Sequence, residues 1–445
     1  MNVYELIKKK RDGRELSAEE INFLVSGFVD GRIPDYQMTA FLMAVYFKGM
    51  RIQESCDLTT AMVASGETVD LSKINGFNID KHSTGGVGDT TTLVLAPLVA
   101  ASGGIVAKMS GRELGHTGGT VDKLESIPGM QVELLKEKFI DIVNDIHVSL
   151  IAQTARLAPA DKKIYALRNV TATVDSIPLI ASSIMSKKLA AGADGIVLDV
   201  KTGAGAFMQE YEDAVELAKT MVYIGECAGK KVVALITGME QPLGNAIGNA
   251  IEIKEAIETL KGNGPRDLVD LVLELGSMML VAAGIESSPS AARRTLQKNI
   301  AQKKGLEKLA QLVAAQGGNP EVIENPGLLP QPKTKIEIKA GAAGFIEKMN
   351  ALEIGMASRI LGAGRKTKTE PIDLSIGILL KKKIGDRVEK GEPLAIFYSD
   401  GNKHKIDPAK ARFLSACTIG DRRVDPPRLF YAKVSANTVE EFNPS

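Results

Sequence analysis

The sequence contains no Trp, few aromatic residues of any kind and no excess of charge of either sign. Aromatic residues make up 4% of its 445 positions, too few to build the stacking platforms of single-stranded nucleic-acid binders. Lys and Arg number 55 and Asp and Glu 54, and the net charge of +1 gives no electrostatic basis for binding nucleic acid or an anionic membrane. This composition favours an enzyme that acts on small molecules.

Cysteines and long apolar runs are also scarce. The three cysteines, Cys56, Cys227 and Cys417, are far apart in the sequence, so we expect neither a disulfide framework nor a metal-binding cysteine cluster. The first residues lack the apolar segment of a signal peptide, and no stretch reaches the ~18 apolar residues of a transmembrane helix. We therefore expect a cytoplasmic protein of two or three domains.

Two glycine-rich stretches each begin with a Lys and a nearby Ser. They are Lys81–Thr92 and Lys108–Ser126, and a short apolar segment typical of a buried strand leads into the second. Backbone N–H groups, hydroxyls and a Lys that converge on one point form the kind of site that binds a phosphate-like anion. Glycine-rich turns after strands are common and most bind nothing, but two such units in one segment favour an anion site.

The order of the predicted elements indicates an α/β protein. The first 65 residues are predicted to be helical, with Ser17 and Glu20 as a capping box, and from Phe77 onward strands alternate with helices. The predicted strands are Asn78–Asp80, Ile105–Met109, His147–Ile151, Gly195–Val200 and Val232–Thr237. This alternation predicts a largely parallel sheet whose ligands bind at the carboxyl ends of the strands, where both glycine-rich stretches lie.

A segment rich in Pro, Asn and Gly, residues 319–332, marks a boundary before a C-terminal part of short strands and turns. Residues 385–394 (Gly-Asp-Arg-Val-Glu-Lys-Gly-Glu-Pro-Leu) resemble a turn of biotinyl and lipoyl carrier barrels, without the lysine-bearing hairpin of true carriers. We therefore predict a small all-helical domain, a large α/β domain with a mixed, largely parallel sheet, and a C-terminal barrel-like α+β subdomain.

Two helices predicted between residues 161 and 192 carry polar side chains at helical spacing. Tyr165 and Arg168 share one face of the first helix, and Ser183 and Lys187 share one face of the second. Brought together, these four side chains would suit a planar ligand that carries carbonyl groups. Solvated helix faces explain the same pattern equally well.

Three motifs closely resemble those of the thymidine and pyrimidine-nucleoside phosphorylases. They are residues 81–89 (Lys-His-Ser-Thr-Gly-Gly-Val-Gly-Asp), residues 110–125 with their Gly-Arg-Glu-Leu-Gly-His-Thr-Gly-Gly-Thr-Val-Asp-Lys core, and residues 165–171 followed by 176–188. The resemblance covers nearly the whole chain. It departs at Glu113, where the family usually has Gly or Ala, at Ala155-Arg156 in an expected hinge, and in the C-terminal segment 432–445.

The resemblance implies a domain arrangement and a reaction. It implies a helical, base-binding and dimerisation domain of residues 1–65 and 161–192, an α/β phosphate-binding domain of residues 70–155 and 193–325, and a C-terminal carrier-barrel-like domain of residues 330–445. Hinges near residues 66, 155 and 192 would close the cleft of a homodimer. The implied reaction, in nucleoside salvage, is the reversible phosphorolysis of uridine, thymidine or deoxyuridine to free base and (deoxy)ribose 1-phosphate.

The resemblance also implies the site residues. The implied catalytic residues are His82, Arg168 and Lys187, with His82 either as the acid for the leaving base or as a group that only orients it. The implied substrate-binding residues are Leu114, Tyr165, Arg168, Ile180, Ser183, Lys187 and Phe207. The implied phosphate-binding residues are Lys81, His82, Ser83, Thr92, Lys108, Met109, Ser110 and Thr120. A structural monovalent cation, usually potassium, would be held by Gly88, Thr90, Leu243, Ala246 and Glu255, and no organic cofactor is expected.

Three alternatives remain open at this point. A strict thymidine phosphorylase would accept only the deoxynucleosides. An anthranilate-type phosphoribosyltransferase shares the overall architecture and a related glycine-rich loop, but it would need magnesium and carboxylates placed for a pyrophosphate. A non-catalytic binding or carrier protein would use the C-terminal barrel. The whole-chain resemblance favours the broad pyrimidine-nucleoside type.

Overall fold

The computed structural model describes residues 1–112, 118–154, 156–365 and 372–442. Its N-terminal part is helical, as predicted, and consists of α1 (Val3–Arg11), α2 (Ala18–Val29), α3 (Asp35–Lys48) and α4 (Ile52–Ala64). The predicted capping box is confirmed, because the Ser17 hydroxyl accepts a hydrogen bond from Glu20 N while the Glu20 carboxylate accepts one from Ser17 N. The apolar faces of these helices pack into one core with Ala160, Ile164 and Leu179 from later in the chain.

The central sheet is mostly parallel. Its first strands are β1 (Ile79–Ser83), β2 (Val106–Ser110), β3 (Val148–Ala152), β4 (Gly195–Thr202) and β5 (Lys231–Gly238). β1, β4 and β5 pair in parallel, β2 pairs in parallel with β3, and a parallel bridge between Asn78 and Ile105 connects the two groups. All five predicted strands are present. β1 continues into the first glycine-rich stretch because the backbone of residues 81–83 still pairs with β4.

Helices pack against both faces of the sheet. They are α5 (Thr91–Ala101), α6 (Thr120–Leu124), α7 (Lys136–Ile146), α8 (Pro159–Arg168), α9 (Ile177–Ala190), α10 (Tyr211–Cys227), α11 (Ala250–Leu260), α12 (Arg266–Ala282), α13 (Pro289–Ala301) and α14 (Lys304–Ala315). α5 is buried along nearly its whole length, as expected of a helix that is apolar all round. Within the described part of the chain, no helix combines the length and apolar character needed to cross a lipid bilayer.

The C-terminal part has α+β structure and is connected to the central sheet. Its elements, with one short strand from earlier in the chain, are β6 (Ala246–Gly248), β7 (Thr334–Lys339), β8 (Gly344–Met349), α15 (Ala351–Ser358), β9 (Gly377–Leu380), β10 (Arg387–Val388), β11 (Pro393–Ser399), α16 (Lys403–Ser415), β12 (Cys417–Gly420), β13 (Phe430–Val434) and β14 (Val439–Glu441). Two small antiparallel sheets have the orders β6-β9-β11-β7 and β10-β8-β12. β13 pairs antiparallel with β5, and β14 with β13, so the central sheet is mixed, as predicted.

Three chain segments that run between the N-terminal helices and the sheet lie side by side. Glu67 N donates to Arg156 O at 3.0 Å, and Val69 N donates to Ala190 O at 2.7 Å. A side chain at Gly66 or at Gly192 would clash, since a Cβ on either would lie 2.3 Å from a backbone oxygen of a neighbouring segment. The predicted hinges near residues 66 and 192 fall in this region, and Ala155 lies outside the described residues.

Candidate active site

The carboxyl ends of β1 and β2 bring the two lysine-bearing stretches together. β1 ends with residues 81–83 and β2 with residues 108–110, and the Lys108 ammonium donates a hydrogen bond to the Lys81 carbonyl oxygen. Thr92 lies in the first turn of α5, and Thr120 is the first residue of α6. Lys123 of α6 donates to Asp89 O at 2.8 Å, which ties that helix to the first glycine-rich stretch. The structure thus brings the eight predicted phosphate-binding residues to one edge of the sheet.

Lys81 is a buried cation with unused hydrogen-bond capacity. Its Nζ lies 3.4 Å from Asp199 Oδ2 and 3.8 Å from Asp89 Oδ2. No hydrogen-bond partner for this Nζ exists among the residues that the structure describes. Lys201 Nζ lies 2.7 Å from the same Asp199 oxygen and helps to neutralise that carboxylate. A buried ammonium with N–H groups to spare is suited to an incoming phosphate dianion.

The titration of Lys108 and His82 is shifted by their surroundings. Burial lowers the pKa of Lys108 to about 7, although Asp80 beside it favours the charged form. Burial, followed by the charges of Lys188 and Lys108, lowers the pKa of His82 well below its usual value. His82 is therefore a neutral imidazole at pH 7, whereas the sequence indicated a histidine that titrates near neutrality. A bound anion would raise this pKa, so the predicted acid role of His82 depends on phosphate.

α8 and α9 place four of the predicted base-binding residues in one cluster. Lys187 Nζ lies 3.0 Å from Ser183 Oγ on the same helix and 2.5 Å from Asp161 Oδ2 on α8. The guanidinium of Arg168 lies 5.4 Å from the centre of the Tyr165 ring. The negative charge of Asp161 acts on Arg168 as well as on Lys187. Two cations therefore surround one carboxylate beside a serine hydroxyl.

The guanidinium of Arg168 also organises the turn between α8 and α9. It donates hydrogen bonds to the backbone carbonyl oxygens of Thr173 at 3.2 Å and Val174 at 2.6 Å in that turn, and to Leu179 O at 3.0 Å in the first turn of α9. Burial lowers its pKa, but an arginine remains charged at neutral pH. Arg168 is therefore both a predicted ligand of the base and a structural support for the start of α9.

The predicted apolar lining residues are only partly described. Ile180 on α9 and Phe207 after β4 are half-buried and pack against one hydrophobic cluster formed by β4, β5 and α10. Leu114, predicted to line the base pocket, lies outside the described residues, as does Glu113. Ile180 and Phe207 thus pack against the same hydrophobic cluster, and Ile180 lies on the helix that also carries Ser183 and Lys187.

Oxygen atoms from the five predicted cation ligands converge around Gly88. Thr90 Oγ1 lies 3.4 Å from Gly88 O and 3.4 Å from Glu255 Oε2. A Cβ on Gly88, whose φ is +70°, would lie 2.4 Å from Leu243 O and 3.0 Å from Ala246 O. Burial raises the pKa of Glu255 to about 8, because its backbone donors only partly offset the loss of hydration. Thr90 Oγ1 also donates to Glu252 Oε2 at 3.1 Å, a carboxylate outside the predicted set. Carbonyl, hydroxyl and carboxylate oxygens fit a hard cation of low charge.

The loop that carries Leu243 is held in place by the C-terminal part of the chain. Lys383 Nζ donates to Pro242 O at 2.8 Å and to Gly244 O at 2.9 Å, and it pairs with Asp267. On the other side, the Glu255 carboxylate accepts hydrogen bonds from the backbone N–H groups of residues 245 and 246. The carbonyl groups of this loop are therefore fixed from two directions.

Sequence reasoning missed four charged residues of the site, namely Asp80, Asp161, Lys188 and Asp199. Each lies in a strand or helix and is buried, with its charge matched by a residue from another element. The signal was present for Asp199, which interrupts the apolar run of β4, because a buried charge is unfavourable unless it is paired. What the sequence could not supply is the identity of each partner.

Family models match three consecutive parts of the chain. The helical bundle domain of a glycosyl transferase family matches residues 4–66, and the α/β domain of that family matches residues 75–306. The pyrimidine nucleoside phosphorylase C-terminal domain matches residues 345–419. Among solved structures, anthranilate phosphoribosyltransferase from Thermus thermophilus has a TM-score of 0.55 and 21% identity, covering 70% of this chain and 99% of that chain, a likeness of fold.

Curated relatives extend the similarity over nearly the full length. The pyrimidine-nucleoside phosphorylase of Geobacillus stearothermophilus is 54% identical over 98% of this chain and 100% of that protein. The pyrimidine-nucleoside phosphorylase of Bacillus subtilis (strain 168) is 57% identical over 93% of this chain and 95% of that protein. Identity at this level over whole chains, together with the matching C-terminal domain, leads to one assignment. The chain belongs to the pyrimidine-nucleoside phosphorylase family.

Proposed function

We propose that this chain catalyses the reversible phosphorolysis of pyrimidine nucleosides to a free base and (deoxy)ribose 1-phosphate. The observation that carries the proposal is the juxtaposition of two cationic clusters. Lys81 and Lys108 lie near the carboxyl ends of β1 and β2 and are in contact with each other. Lys187 lies on α9, and the residue after it, Lys188, donates hydrogen bonds to Asp80 on β1 and to Met109 O on β2. One cluster is suited to phosphate and the other to the carbonyl groups of a pyrimidine, and the whole-length relatives carry the name of this activity.

The chemistry requires a positioned nucleophile and a stabilised leaving group. A phosphate oxygen attacks the anomeric carbon as the bond from that carbon to the pyrimidine nitrogen breaks, and the bond electrons leave with the base. Lys81 and Lys108 hold and orient the dianion, and the exclusion of water strengthens these contacts. Lys187 and Arg168 stabilise the negative charge that develops on the base carbonyl groups. His82, once phosphate raises its pKa, protonates the departing base or orients it.

The first experiment incubates the protein with uridine and inorganic phosphate, with and without magnesium, and measures release of uracil. Release without magnesium supports phosphorolysis, whereas a strict magnesium requirement would favour the phosphoribosyltransferase alternative. A carrier protein would release no base under either condition and would carry a modified lysine detectable by mass spectrometry. Phosphate must be consumed in equal amount to the uracil that appears.

For the sugar, we propose a broad enzyme that accepts uridine, deoxyuridine and thymidine. The support is the name of the whole-length relatives, which specifies pyrimidine nucleosides in general. The ratio of kcat/KM for uridine to that for thymidine decides between this proposal and a strict thymidine phosphorylase. A uridine rate at background level would overturn the broad proposal.

We further propose that Gly88, Thr90, Leu243, Ala246 and Glu255 hold a structural potassium ion. Its support is the oxygen-only donor set and the buried Glu255 carboxylate, whose raised pKa indicates a site that a cation would stabilise. When bound, the ion would supply positive charge that keeps Glu255 ionised. The loop held by Lys383 and the glycine-rich stretch that contains Gly88 would then be joined through it.

We also propose that the protein is cytoplasmic, acts in nucleoside salvage and forms a homodimer joined through the N-terminal helices. The support for the homodimer is a set of exposed aromatic side chains on α1 and α3: Tyr4, Tyr36, Tyr46 and Phe47. Tyr36 is 74% and Phe47 75% exposed, an unfavourable arrangement on an isolated surface. Pairing of two copies across these helices would bury the rings.

A further inference from the structure

The Asp80 carboxylate lies between two buried lysines from different parts of the fold. Its Oδ1 lies 3.0 Å from Lys108 Nζ on β2, and its Oδ2 lies 2.8 Å from Lys188 Nζ on α9. The three side chains are at most 5% exposed. Lys188 also donates to Met109 O at 3.1 Å, one residue beyond Lys108. Helix α9, which carries predicted base-binding residues, is thereby joined to β1 and β2, which carry predicted phosphate-binding residues.

Lys187 and Lys188 are adjacent in sequence but point to different partners. Consecutive residues of an α-helix are separated by about 100° around its axis. Lys187 accordingly reaches Asp161 on α8, while Lys188 reaches Asp80 on β1. Fixing Lys188 on the strands therefore fixes where Lys187 lies relative to Lys108.

The charges of this group leave one positive charge unmatched. When Lys108 is protonated, it and Lys188 carry one positive charge each against the single negative charge of Asp80. Asp80 stays ionised because the two lysines outweigh the effect of burial and lower its pKa to about 2. Since Lys188 can neutralise Asp80, the positive charge of the Lys108 ammonium remains available to bind an anion. Without Lys188, Asp80 and Lys108 would form a closed neutral pair.

We propose that Lys188 and Asp80 are positioning residues, which hold α9 against β1 and β2 and make the Lys108 ammonium available to phosphate. The proposal rests on the proposed function for the identity of the anion. Neither residue is assigned to touch substrate, since both act through Lys108 and through the placement of Lys187. Three buried charges are costly compared with apolar packing, and a role in the site accounts for keeping them.

The test is a set of variants whose affinity for inorganic phosphate is measured by isothermal titration calorimetry. Lys188→Met removes the second cation, and we expect phosphate to bind roughly tenfold more weakly. Asp80→Asn combined with Lys188→Met removes the competing carboxylate too, so the Lys108 ammonium that forms with bound phosphate no longer shares its charge with Asp80. The double variant should therefore bind phosphate more tightly than Lys188→Met alone. A purely structural role predicts the opposite, because two losses would add.

Controls keep the test decisive. Lys188→Gln retains a hydrogen-bond donor for Met109 O without the charge, so it should show the same loss of phosphate affinity even if Lys188→Met fails to fold. Lys230→Met removes a lysine from a half-exposed pair with Asp194 and should leave phosphate affinity unchanged. Wild-type affinity in Lys188→Gln, or a double variant weaker than Lys188→Met, would overturn the proposal. Base release by the wild-type protein tests the proposed function separately.

Discussion

Lys187 Nζ lies 2.5 Å from Asp161 Oδ2, and within the described part of the chain the other oxygen of that carboxylate has no hydrogen-bond partner. Asp161 thus holds the base-site lysine with one oxygen and leaves the second available. Because Asp161 is buried and sits on α8, it fixes the Lys187 ammonium between two helices rather than along one.

Asp161→Asn should lower kcat/KM for the nucleoside about tenfold, because a charge-assisted hydrogen bond to Lys187 becomes a neutral one. Phosphate affinity should change less than about twofold, since Asp161 contacts no phosphate-site residue. Steady-state kinetics with each substrate varied in turn measures both. Asp30→Asn, which removes an exposed carboxylate paired with Arg32, is the matched control and should leave both constants unaltered.

Lys187→Ala and Arg168→Ala should each reduce turnover by about a hundredfold or more while phosphate affinity stays near the wild-type value. Both variants should also lower Tm, for different reasons. Arg168→Ala removes the side-chain donors to three backbone carbonyl oxygens. Lys187→Ala leaves the buried Asp161 carboxylate without its lysine partner. Rapid-mixing assays and thermal unfolding provide the two readouts. Wild-type rates in either variant would show that the base-site assignment is wrong.

Phosphate binding should be accompanied by uptake of protons. Burial lowers the pKa of Lys108 to about 7, so at about pH 8 this group is largely neutral before a dianion arrives and raises its pKa. Because the bound state then holds more protons, phosphate affinity should fall as pH rises above about 7. Calorimetry at about pH 8 in buffers of different ionisation enthalpy measures the uptake. Lys108→Met should reduce the number of protons taken up. An unchanged uptake in this variant would show that another group binds the proton.

Potassium should stabilise the fold. Exchange of potassium chloride for choline chloride should lower Tm by about 3–5 °C, because an ion that binds only the folded chain adds stability by mass action. Glu255→Gln should abolish the difference between the two salts, since it removes the only carboxylate of the predicted donor set. Glu258→Gln, on the same helix but half-exposed, should keep it. A salt difference that persists in Glu255→Gln would argue for another site.

Phe47→Glu should convert a dimer to a monomer if the exposed rings of α3 meet those of a second copy. The side chain is 75% exposed in the single chain, so a charge there costs the monomer little. Sedimentation velocity of wild type and variant measures the mass. Leu135→Glu changes an equally exposed apolar residue far along the chain, before α7, and should leave the mass unchanged. A wild-type monomer would contradict the proposed assembly directly.

The sequence predicted the sheet from apolar runs but not where its strands end. β1 continues three residues beyond its predicted end, through Lys81, because that lysine is buried beside Asp199 rather than solvated in a loop. Local patterns treat a lysine as a loop or surface residue, whereas its environment here is set by β4, far away in sequence. The burial of Lys81 also explains why the first predicted phosphate-binding residues, 81–83, lie in β1 and not in the loop that follows it.

The site could be predicted as two separate groups but not as one network. Resemblance gave Lys108 and Lys187, whose predicted partners are phosphate and the base. It did not give Asp80, whose partners are protein groups, namely the ammonium groups of Lys108 and Lys188 and the backbone N–H of Lys81. Motifs report residues in fixed local spacing, and the partners of Asp80 lie 28 and 108 positions away. Pairings over such distances follow from topology and packing, which periodicity in one sequence does not encode.

The strand order of the central sheet has a consequence for the synthesis of the protein. β5 ends at Gly238, but its outer neighbour β13 is formed by Phe430–Val434, which are synthesised much later. Until residues 430–434 have left the ribosome, the edge of β5 is unpaired, and its apolar Val-Val-Ala-Leu-Ile core is a template for pairing with other chains. Nonsense mutations before residue 430 should therefore yield aggregating fragments rather than folded but inactive protein.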